Sequence, residues 1–239
     1  LNRHSSCINL ISDNKENHDY NFTGTIIISG GFGKLGFVVG KWLLDTFNVS
    51  VAFLGRKEKD SKVIEKINNL NTKKTRAFYY QCDITNKKTL TNVLKDIKKT
   101  SQKITGVIHA AGQIKDSFLL NKTTTDAHAV LEAKVDGLKN LDNLLAKESL
   151  EFFLLFSSIA AITGNIGQCD YAYANSFLNY FSEYRNNLVT EKKRFGKTVS
   201  ICWPHWTSGG MDSIKSHKAY ASEHVGLNSL TNKDGLHLL

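Results

Sequence analysis

The sequence of 239 residues is poor in cysteine and contains a single proline and a single methionine. Its four cysteines, Cys7, Cys82, Cys169 and Cys202, are scattered, and no two form a C-x-x-C pair. This spacing argues against a zinc site and a disulfide framework, so we expect no bound metal. It favours a reducing compartment, which we take to be the cytoplasm.

Long hydrophobic runs are also missing. The longest apolar stretch, Phe152 to Thr163, is interrupted by Ser157 and Ser158 and is shorter than the ~20 residues of a membrane span. The opening residues LNRHSSCINL lack the apolar core of a signal peptide. The sequence therefore predicts no membrane segment.

Charge of one sign dominates, because 31 lysines and arginines face 22 aspartates and glutamates, giving a formal net charge of +9. One interpretation is a solvated basic surface, and the other is an anionic partner. The basic residues are spread along the chain and form no stripe, which argues against nucleic acid binding.

From Thr25 onward, short strand-like runs alternate with helical patterns. Helical patterns include Lys87–Lys99 and Asp126–Leu145. The strands are predicted, in chain order, at Thr25–Ser29, Val49–Leu54, Arg76–Cys82, Gly106–Ala110, Glu151–Ser157 and Thr198–Trp203. This alternation predicts an α/β fold of Rossmann type, a doubly wound parallel sheet with helices on both faces. Ligands in such folds bind beyond the carboxyl ends of the strands.

A glycine-rich turn, SGGFGKLG, follows the first predicted strand. It contains Gly31, Gly33 and Gly36 in a G-x-G-x-x-G pattern, with Phe32 and Leu35 between them. Such glycines let the backbone turn tightly and approach a pyrophosphate, whose charge lies at the N-terminus of the next helix. The strand before the turn and the helix after it supply the required context, so we predict a dinucleotide site.

The second strand is followed by Gly55, Arg56 and Lys57, where NAD-binding proteins usually place an acid. A guanidinium binds a 2′-phosphate in bidentate fashion, whereas a carboxylate repels it. We therefore favour NADPH over NADH, although Arg56 as a simple surface cation is the alternative.

The third strand runs into Cys82, Asp83 and Ile84, which we predict to line the cofactor site. Asp83 has two open interpretations. It is either a helix cap or turn residue, or an acceptor for the adenine amine of the cofactor.

The fourth strand ends in GVIHAAG, in which Ala110, Ala111 and Gly112 are small enough for a nicotinamide ribose to lie against the backbone. His109 is open to interpretation as a base, but we favour a packed, hydrogen-bonded histidine and count it among the residues that line the cofactor site.

Four chemically suited residues complete the pattern. Ser158 follows the fifth strand, Tyr171 comes 13 positions later, and Asn175 lies on the same helix face as Tyr171. Many carbonyl reductases carry a lysine where this chain has Asn175, and here a lysine stands upstream instead, as Lys134 in LEAKVDGL. The alternatives are a core serine, an aromatic helix stripe and a solvated lysine. Tyr173 fits neither spacing.

Through SGGFGKLG, the Arg56 position, GVIHAAG, the Lys134 segment, FSSIAA, YAYAN and WPHWTSGGM, residues 23–211 resemble a known family. They resemble the ketoreductase domains of modular polyketide synthases, in the short-chain dehydrogenase/reductase superfamily. The exchanged positions of Lys134 and Asn175 are the specific part of the likeness. DYAYANSF and WPHWTSGGM further resemble assembly lines whose acyltransferase is a separate protein.

The resemblance implies a role for each of the four residues. Ser158 hydrogen-bonds the substrate carbonyl, and Tyr171 donates a proton while the carbonyl carbon takes hydride from NADPH. A free phenol has a pKa of about 10, so it gains from a cation that stabilises the phenolate. Lys134 is that cation and also a ligand for the nicotinamide ribose. Asn175 holds the site or a water that relays the proton.

The resemblance also divides the chain. Residues 1–22, polar and without periodicity, are predicted to be a linker or tail, and residues 23–205 the NADPH-binding catalytic unit. Residues 206–239 are predicted to be a substrate lid, with Gly209-Gly210 as a hinge, and a C-terminal helical segment. Three residues around this boundary carry predicted roles, because the family places Pro204 beside the nicotinamide and we assign Trp206 and Met211 to the substrate. Pro204 as a strand terminator is compatible with that role.

Stereochemistry is predicted from QIKDSF. Asp116 stands where one ketoreductase type carries a marker aspartate, whereas the opposite type carries a tryptophan eight residues before the catalytic tyrosine, and that position is Thr163 here. The match implies a D-configured 3-hydroxyl product, the B-type outcome. Ile114 and Lys115 depart from the other two marker residues.

Finally, the resemblance implies a piece of a large multienzyme. Both ends look cut, and a structural half without cofactor is expected to precede this one. The substrate is expected as a β-ketoacyl thioester on the phosphopantetheine arm of an acyl carrier protein, whose acidic helices suit the net charge of +9. Two alternatives stay open: a stand-alone short-chain dehydrogenase acting on a free ketone, and a catalytically silent NADPH-binding or scaffold domain.

Overall fold

The computed structural model describes residues 22–72, 76–100, 103–207 and 229–239. Six parallel strands within these ranges form one sheet, namely β1 (Thr25–Ser29), β2 (Ser50–Gly55), β3 (Arg76–Gln81), β4 (Ile104–His109), β5 (Phe152–Ser158) and β6 (Lys197–Trp203). Their order across the sheet is β3-β2-β1-β4-β5-β6. The predicted doubly wound parallel sheet is thus confirmed. Successive strands are added on one side of β1 up to β3 and on its other side from β4 onward, and such folds bind ligands at this switch point.

Helices cover both faces of the sheet. They are α1 (Lys34–Thr46), α2 (Ser61–Asn68), α3 (Lys87–Thr100), α4 (Thr124–Lys134), α5 (Asp136–Leu144), α6 (Ala160–Thr163), α7 (Cys169–Thr190) and α8 (Asn232–His237), with a 3-10 turn at Leu119–Asn121. Strands β1 and β4 are buried along their whole length, because both faces of the central sheet are covered. Successive residues of these strands therefore feed two separate cores.

The single helix predicted over Asp126–Leu145 is two helices. The backbone bends at Val135, which ends α4 and begins α5 while its N–H still donates to the Leu131 carbonyl. The bend brings α5 onto the loop after β3, where a Cβ on Gly137 would lie only 2.5 Å from the Ile84 side chain. The close approach explains why the helix changes direction at a residue that has no helix-breaking chemistry.

A buried ion network anchors the C-terminal half of α7. Arg185 donates from Nε to Asp142 Oδ1 of α5 at 2.8 Å and from Nη1 to the Thr198 hydroxyl of β6 at 2.9 Å. Arg194 donates to the same carboxylate at 3.0 Å. Removing one partner of such a buried pair costs about 3–5 kcal/mol, so this network fixes the long helix against the sheet.

Trp206, three residues after the end of β6, is part of the core. Trp206 forms an isolated bridge with Leu230, and its ring is 1% exposed and packs against Gly235 of α8. The Trp203 and Trp206 rings meet edge to face with centroids 5.0 Å apart. Trp206 thus belongs structurally to the sheet and to α8, because its large apolar ring is buried between them. Among the helices that the structure describes, none is long and apolar enough to span a bilayer.

Candidate active site

The turn between β1 and α1 is built for close backbone approach. Gly30 has a φ of +71°, and a Cβ on it would lie 2.7 Å from the backbone of Ala111. A Cβ on Gly31 would lie 2.7 Å from the Phe53 ring, and one on Gly36 would lie 2.5 Å from the Gly30 carbonyl oxygen. Gly30 was not among the residues singled out from the sequence, although its place directly before Gly31 is a detectable signal.

Helix α1 begins at this turn, and its first turn carries no side chain that would compete with a bound anion. Gly33 is its N-cap, supplies no side-chain cap, and no acidic residue stands in the first turn. Phe32 packs into the neighbouring aromatic cluster, 4.6 Å from the Tyr79 ring, and Leu35 packs against the same core. The turn has space for a ligand that a Cβ on its glycines would fill, and the helix that follows carries no carboxylate in its first turn. Both features fit a dinucleotide pyrophosphate.

Arg56 and Lys57 are both exposed directly after β2. Their turn is fixed by Tyr79 of β3. The Tyr79 hydroxyl donates to the backbone carbonyl of Gly55 at 3.1 Å and also to that of Lys57. Burial raises the pKa of that phenol above 10.0, so it remains a donor at neutral pH. The two cations therefore project from a fixed turn at the carboxyl end of the sheet.

After β3, Asp83 stabilises a turn, and a different residue caps helix α3. Asp83 Oδ1 accepts from the Thr85 N–H at 3.0 Å and from its hydroxyl at 2.8 Å. Asn86 caps α3 by accepting from the Thr89 N–H at 3.0 Å. Of the two roles left open for Asp83, the local one is thus a turn. Its neighbours Cys82 and Ile84 are buried, and burial raises the pKa of the Cys82 thiol to about 11.

His109 is fully buried at the end of β4, where its Nδ1 shares a 2.7 Å hydrogen bond with the Ser29 hydroxyl of β1. Burial lowers the pKa of His109 to about 3, and the charge of Lys134 acts in the same direction. The imidazole is therefore neutral at physiological pH. Ala110, next along the chain, donates its N–H to the Ser29 carbonyl at 3.0 Å and keeps the two strands in register.

Lys134 reaches the site from the end of α4. Its Nζ donates to the Phe156 carbonyl at 2.8 Å and lies 5.8 Å from the centroid of the Tyr171 ring. The residue is 4% exposed, and burial lowers the pKa of its ammonium to about 7. A Cβ on Gly112 would lie 3.0 Å from Lys134 Cε, so the glycine of HAAG leaves the space that this side chain uses.

Tyr171 and Asn175 stand one turn apart near the start of α7. The Asn175 side-chain amide donates to the Tyr171 backbone carbonyl at 2.8 Å, and the Asn175 backbone carbonyl accepts from the Ser157 hydroxyl at 3.1 Å. Burial raises the pKa of the Tyr171 phenol, and hydrogen bonding with Ser158 and Asn175 acts in the opposite direction. Tyr173, by contrast, is 65% exposed on another face of the helix.

Asp116 lies on the loop after β4 and is held by a residue that the sequence reasoning missed. Gln168 Nε2 donates to both carboxylate oxygens of Asp116, at 2.9 and 3.0 Å. The negative charge of Asp116 also acts to raise the pKa of the Tyr171 phenol, which marks its proximity to the site. The spacing of Gln168 three residues before Tyr171 is the only signal in the sequence, since the contact spans 52 residues.

Three predicted residues lie around the end of β6. Pro204 directly follows the strand and is half-buried, whereas Trp206 is buried under α8. Met211 and the glycine pair 209–210 lie outside the described residues, as do most of the predicted lid and linker.

Comparisons with known proteins identify the family of the chain. The KR domain family model matches residues 24–208. Polyketide synthase PksL of Bacillus subtilis (strain 168) is 38% identical over 217 residues, which are 90% of this chain and 5% of that protein. Polyketide synthase PksN of the same organism is 36% identical over 230 residues, 96% of this chain and 4% of that protein.

Solved structures give the same result. A ketoreductase domain from the bacillaene assembly line superposes with a TM-score of 0.86 and 33% identity, over 90% of this chain and 52% of that one. An N-terminal ketoreductase from the macrolactin assembly line gives a TM-score of 0.80 and 34% identity, over 90% of this chain and 41% of that one. This chain thus spans about half or less of those ketoreductase chains and a small fraction of the curated synthases.

The structure brings Lys134, Ser158, Tyr171 and Asn175 together near the switch point of the sheet. The family model and the relatives match most of the chain and identify its family. The resemblance read from the motifs is confirmed: the chain belongs to the KR domain family, the oxidoreductase domains that act as ketoreductases in polyketide synthase assembly lines.

Proposed function

We propose that this domain uses NADPH to reduce a β-ketoacyl thioester, held on an acyl carrier protein, to a 3-hydroxyacyl thioester. The observation that carries the proposal is the meeting of Lys134 with Tyr171 from two separate helices, beside the carboxyl end of β5. An ammonium, a phenol, a hydroxyl and an amide at one buried point are the groups that carbonyl reduction requires.

NADPH, when bound, supplies the hydride, and the protein supplies the proton and the orientation. Ser158 and Tyr171 hydrogen-bond the carbonyl oxygen, which polarises the bond and fixes the ketone. Tyr171 then transfers its phenolic proton to the oxygen as negative charge develops there. A phenol with a raised pKa keeps that proton until the transition state.

Lys134 stabilises the phenolate that proton transfer leaves behind. Its own pKa is lowered to about 7 by burial, so the ammonium gains stability when a negative charge forms beside it. Asn175 is hydrogen-bonded to the backbone of Tyr171 and helps to hold the start of α7 in place, and we assign to it the water that returns the proton.

The cofactor preference rests on the charges after β2. Arg56 and Lys57 are exposed on a turn fixed by Tyr79, and no carboxylate occupies the position that contacts a ribose 2′-hydroxyl in NAD enzymes. Both cations would hold the 2′-phosphate of NADPH. Asp83, Ala110, Ala111 and Pro204 are the remaining residues that we propose for the adenine and nicotinamide ends.

The partners follow from the family and from the length of the chain. Because it spans 52% of a solved ketoreductase chain, we propose that a structural half and further synthase domains complete it in the whole protein. The net charge of +9 supports an acidic carrier protein as the substrate donor. Free cysteines at 82, 169 and 202 support a cytoplasmic location, and the Asp116 position supports a D-configured product.

The test is the loss of NADPH absorbance with a short 3-ketoacyl thioester, compared with NADH and with a free ketone of the same chain length. We expect turnover with NADPH and the thioester, and a D-3-hydroxyacyl product on chiral chromatography. Much faster reduction of the free ketone would indicate a stand-alone dehydrogenase. NADPH binding without turnover, even with the carrier protein and the structural half added, would indicate a silent domain.

A further inference from the structure

Lys122 and Asp170 form a buried ion pair directly beside the catalytic tyrosine. Lys122 Nζ donates to Asp170 Oδ2 at 2.8 Å, and each side chain is only 4% exposed. Asp170 uses its other oxygen, Oδ1, to accept from the backbone N–H of Tyr171 at 2.9 Å. The carboxylate therefore joins the cation to the first turn of α7 at the residue that carries the phenol.

The same ammonium also holds the loop that carries Asp116. Lys122 Nζ donates to the backbone carbonyl of Lys115, directly before Asp116, at 2.7 Å. An ammonium has three donors, so a single lysine can bind acceptors from two segments of the chain at once. Lys122 thereby bridges the Asp116 loop and the start of α7, which are separated by 48 residues at the Lys122–Asp170 contact.

Two further contacts join these segments. Gln168 donates to the Asp116 carboxylate at 2.9 and 3.0 Å, and the Ser117 N–H donates to the Gly167 carbonyl at 3.0 Å. We call these two contacts, together with the Lys122 bridge, the loop clamp. Of the clamp, only the Lys122–Asp170 pair has both side chains almost fully buried and both charged.

We propose that Lys122 and Asp170 are a positioning pair that sets the Asp116 loop against Tyr171 and thereby decides which face of the ketone receives hydride. The inference rests on the proposed reduction of a β-ketone. The two faces of a prochiral ketone present the same substituents in mirror-image order. A displacement of the Asp116 loop by about 1 Å therefore changes both rate and selectivity. Asp116 influences the Tyr171 phenol electrostatically, which places the loop close to the reacting group.

A buried ion pair suits this task better than exposed hydrogen bonds would. Water cannot easily replace either partner, and an unpaired buried charge is strongly unfavourable, so the pair stays closed. The exposed pair of Lys115 with Asp126, at 3.7 Å, reaches the same loop but with side chains that are 49% and 42% exposed. That surface contact is screened by solvent, so it restrains the position of the loop less strongly than the buried pair does.

The experiment compares Lys122→Met and Asp170→Asn with Asp142→Asn as a matched control. Asp142 is another buried, paired carboxylate that anchors α7, but it binds Arg185 in the far half of the helix. We expect both clamp variants to lower kcat about 10- to 100-fold and to raise the fraction of the minor hydroxyl enantiomer, with an unchanged affinity for NADPH. Asp142→Asn should lower the melting temperature while leaving the enantiomer ratio as in the wild type.

An enantiomer ratio and kcat equal to those of the wild type in a folded Lys122→Met protein would overturn the proposal. Asp170→Asn covers the case in which Lys122→Met does not fold, since Asn keeps an acceptor for the Tyr171 N–H. A wild type without turnover would contradict the proposed function instead. Hydrogen exchange still tests the pair then: faster exchange of residues 115–122 in the clamp variants but not in Asp142→Asn supports it, and equal exchange overturns it.

Discussion

Gly112 and Lys134 lie against each other at the end of β4, where a Cβ on the glycine would be 3.0 Å from Lys134 Cε and 3.6 Å from Nζ. The lysine has little room to yield, because its Nζ is bonded to the Phe156 carbonyl at 2.8 Å and its side chain is buried. The last glycine of HAAG is thus a condition for placing the Lys134 ammonium, for which we propose a catalytic role. Its role is to leave space, and no positive φ is involved.

Gly112→Ala should therefore impair catalysis more than stability. The added methyl group would push the ammonium by a few tenths of an ångström, and we expect kcat to fall about 10-fold. The melting temperature should change little, because Gly112 itself is exposed. Steady-state kinetics and a thermal melt on the same preparation check this, and an unchanged kcat would show that Lys134 adapts without loss.

Tyr171→Phe should abolish most turnover while NADPH still binds. Loss of the proton donor is expected to lower kcat about 100- to 10,000-fold, the usual contribution of a general acid. Cofactor affinity, measured by NADPH fluorescence, should not change. Tyr173→Phe is the matched control, since that ring is 65% exposed two residues away, and its kcat should equal the wild-type value. Similar losses in both variants would remove Tyr171 from its assigned role.

Arg56→Ala should weaken NADPH binding selectively. A charge-assisted contact with the 2′-phosphate predicts a rise in Kd of about 10- to 100-fold for NADPH and almost none for NADH. Lys59→Ala, which removes another exposed cation from the same turn region, serves as the control for general surface charge. Equal weakening of both cofactors by Arg56→Ala would mean that the guanidinium does not read the phosphate.

Lys134→Met should stabilise the cofactor-free protein in a pH-dependent way. The pKa of Lys134 is about 7 in the folded protein against 10.5 ordinarily, so between these values the unfolded chain binds more protons and wild-type stability rises with pH. Below about pH 7 the full cost of burying the charge is present. The variant should therefore melt above the wild type at about pH 6, and the difference should shrink by about pH 10.

The control for that measurement is Lys41→Met, at an exposed lysine whose side chain is 55% accessible. It should show no such dependence on pH. A Lys134→Met protein that melts below the wild type by the same amount at every pH would contradict the assignment of a buried, poorly solvated ammonium. Activity is expected to be lost in either case, because the cation next to Tyr171 is gone.

The sequence by itself determined the features that depend on near neighbours. The alternating strand and helix periods, the glycine turn before α1, and the placement of Tyr171 and Asn175 on one helix face all follow from spacings of a few residues. The structure contains all three features, and the predicted strand boundaries differ from the observed ones by no more than two residues. The agreement is close because the local hydrophobic pattern and the final burial coincide there.

Only the tertiary structure decided which distant groups meet. Lys134 reaches Tyr171 from another helix through space left by Gly112, and Lys122 finds Asp170 across 48 residues. The bend at Val135 and the burial of Trp206 beneath α8 also depend on packing between elements that are remote in sequence. Such contacts carry no periodic signal, because they are selected by the cost of leaving a charge or a large ring unpartnered in the interior, and that cost exists only once the chain has folded.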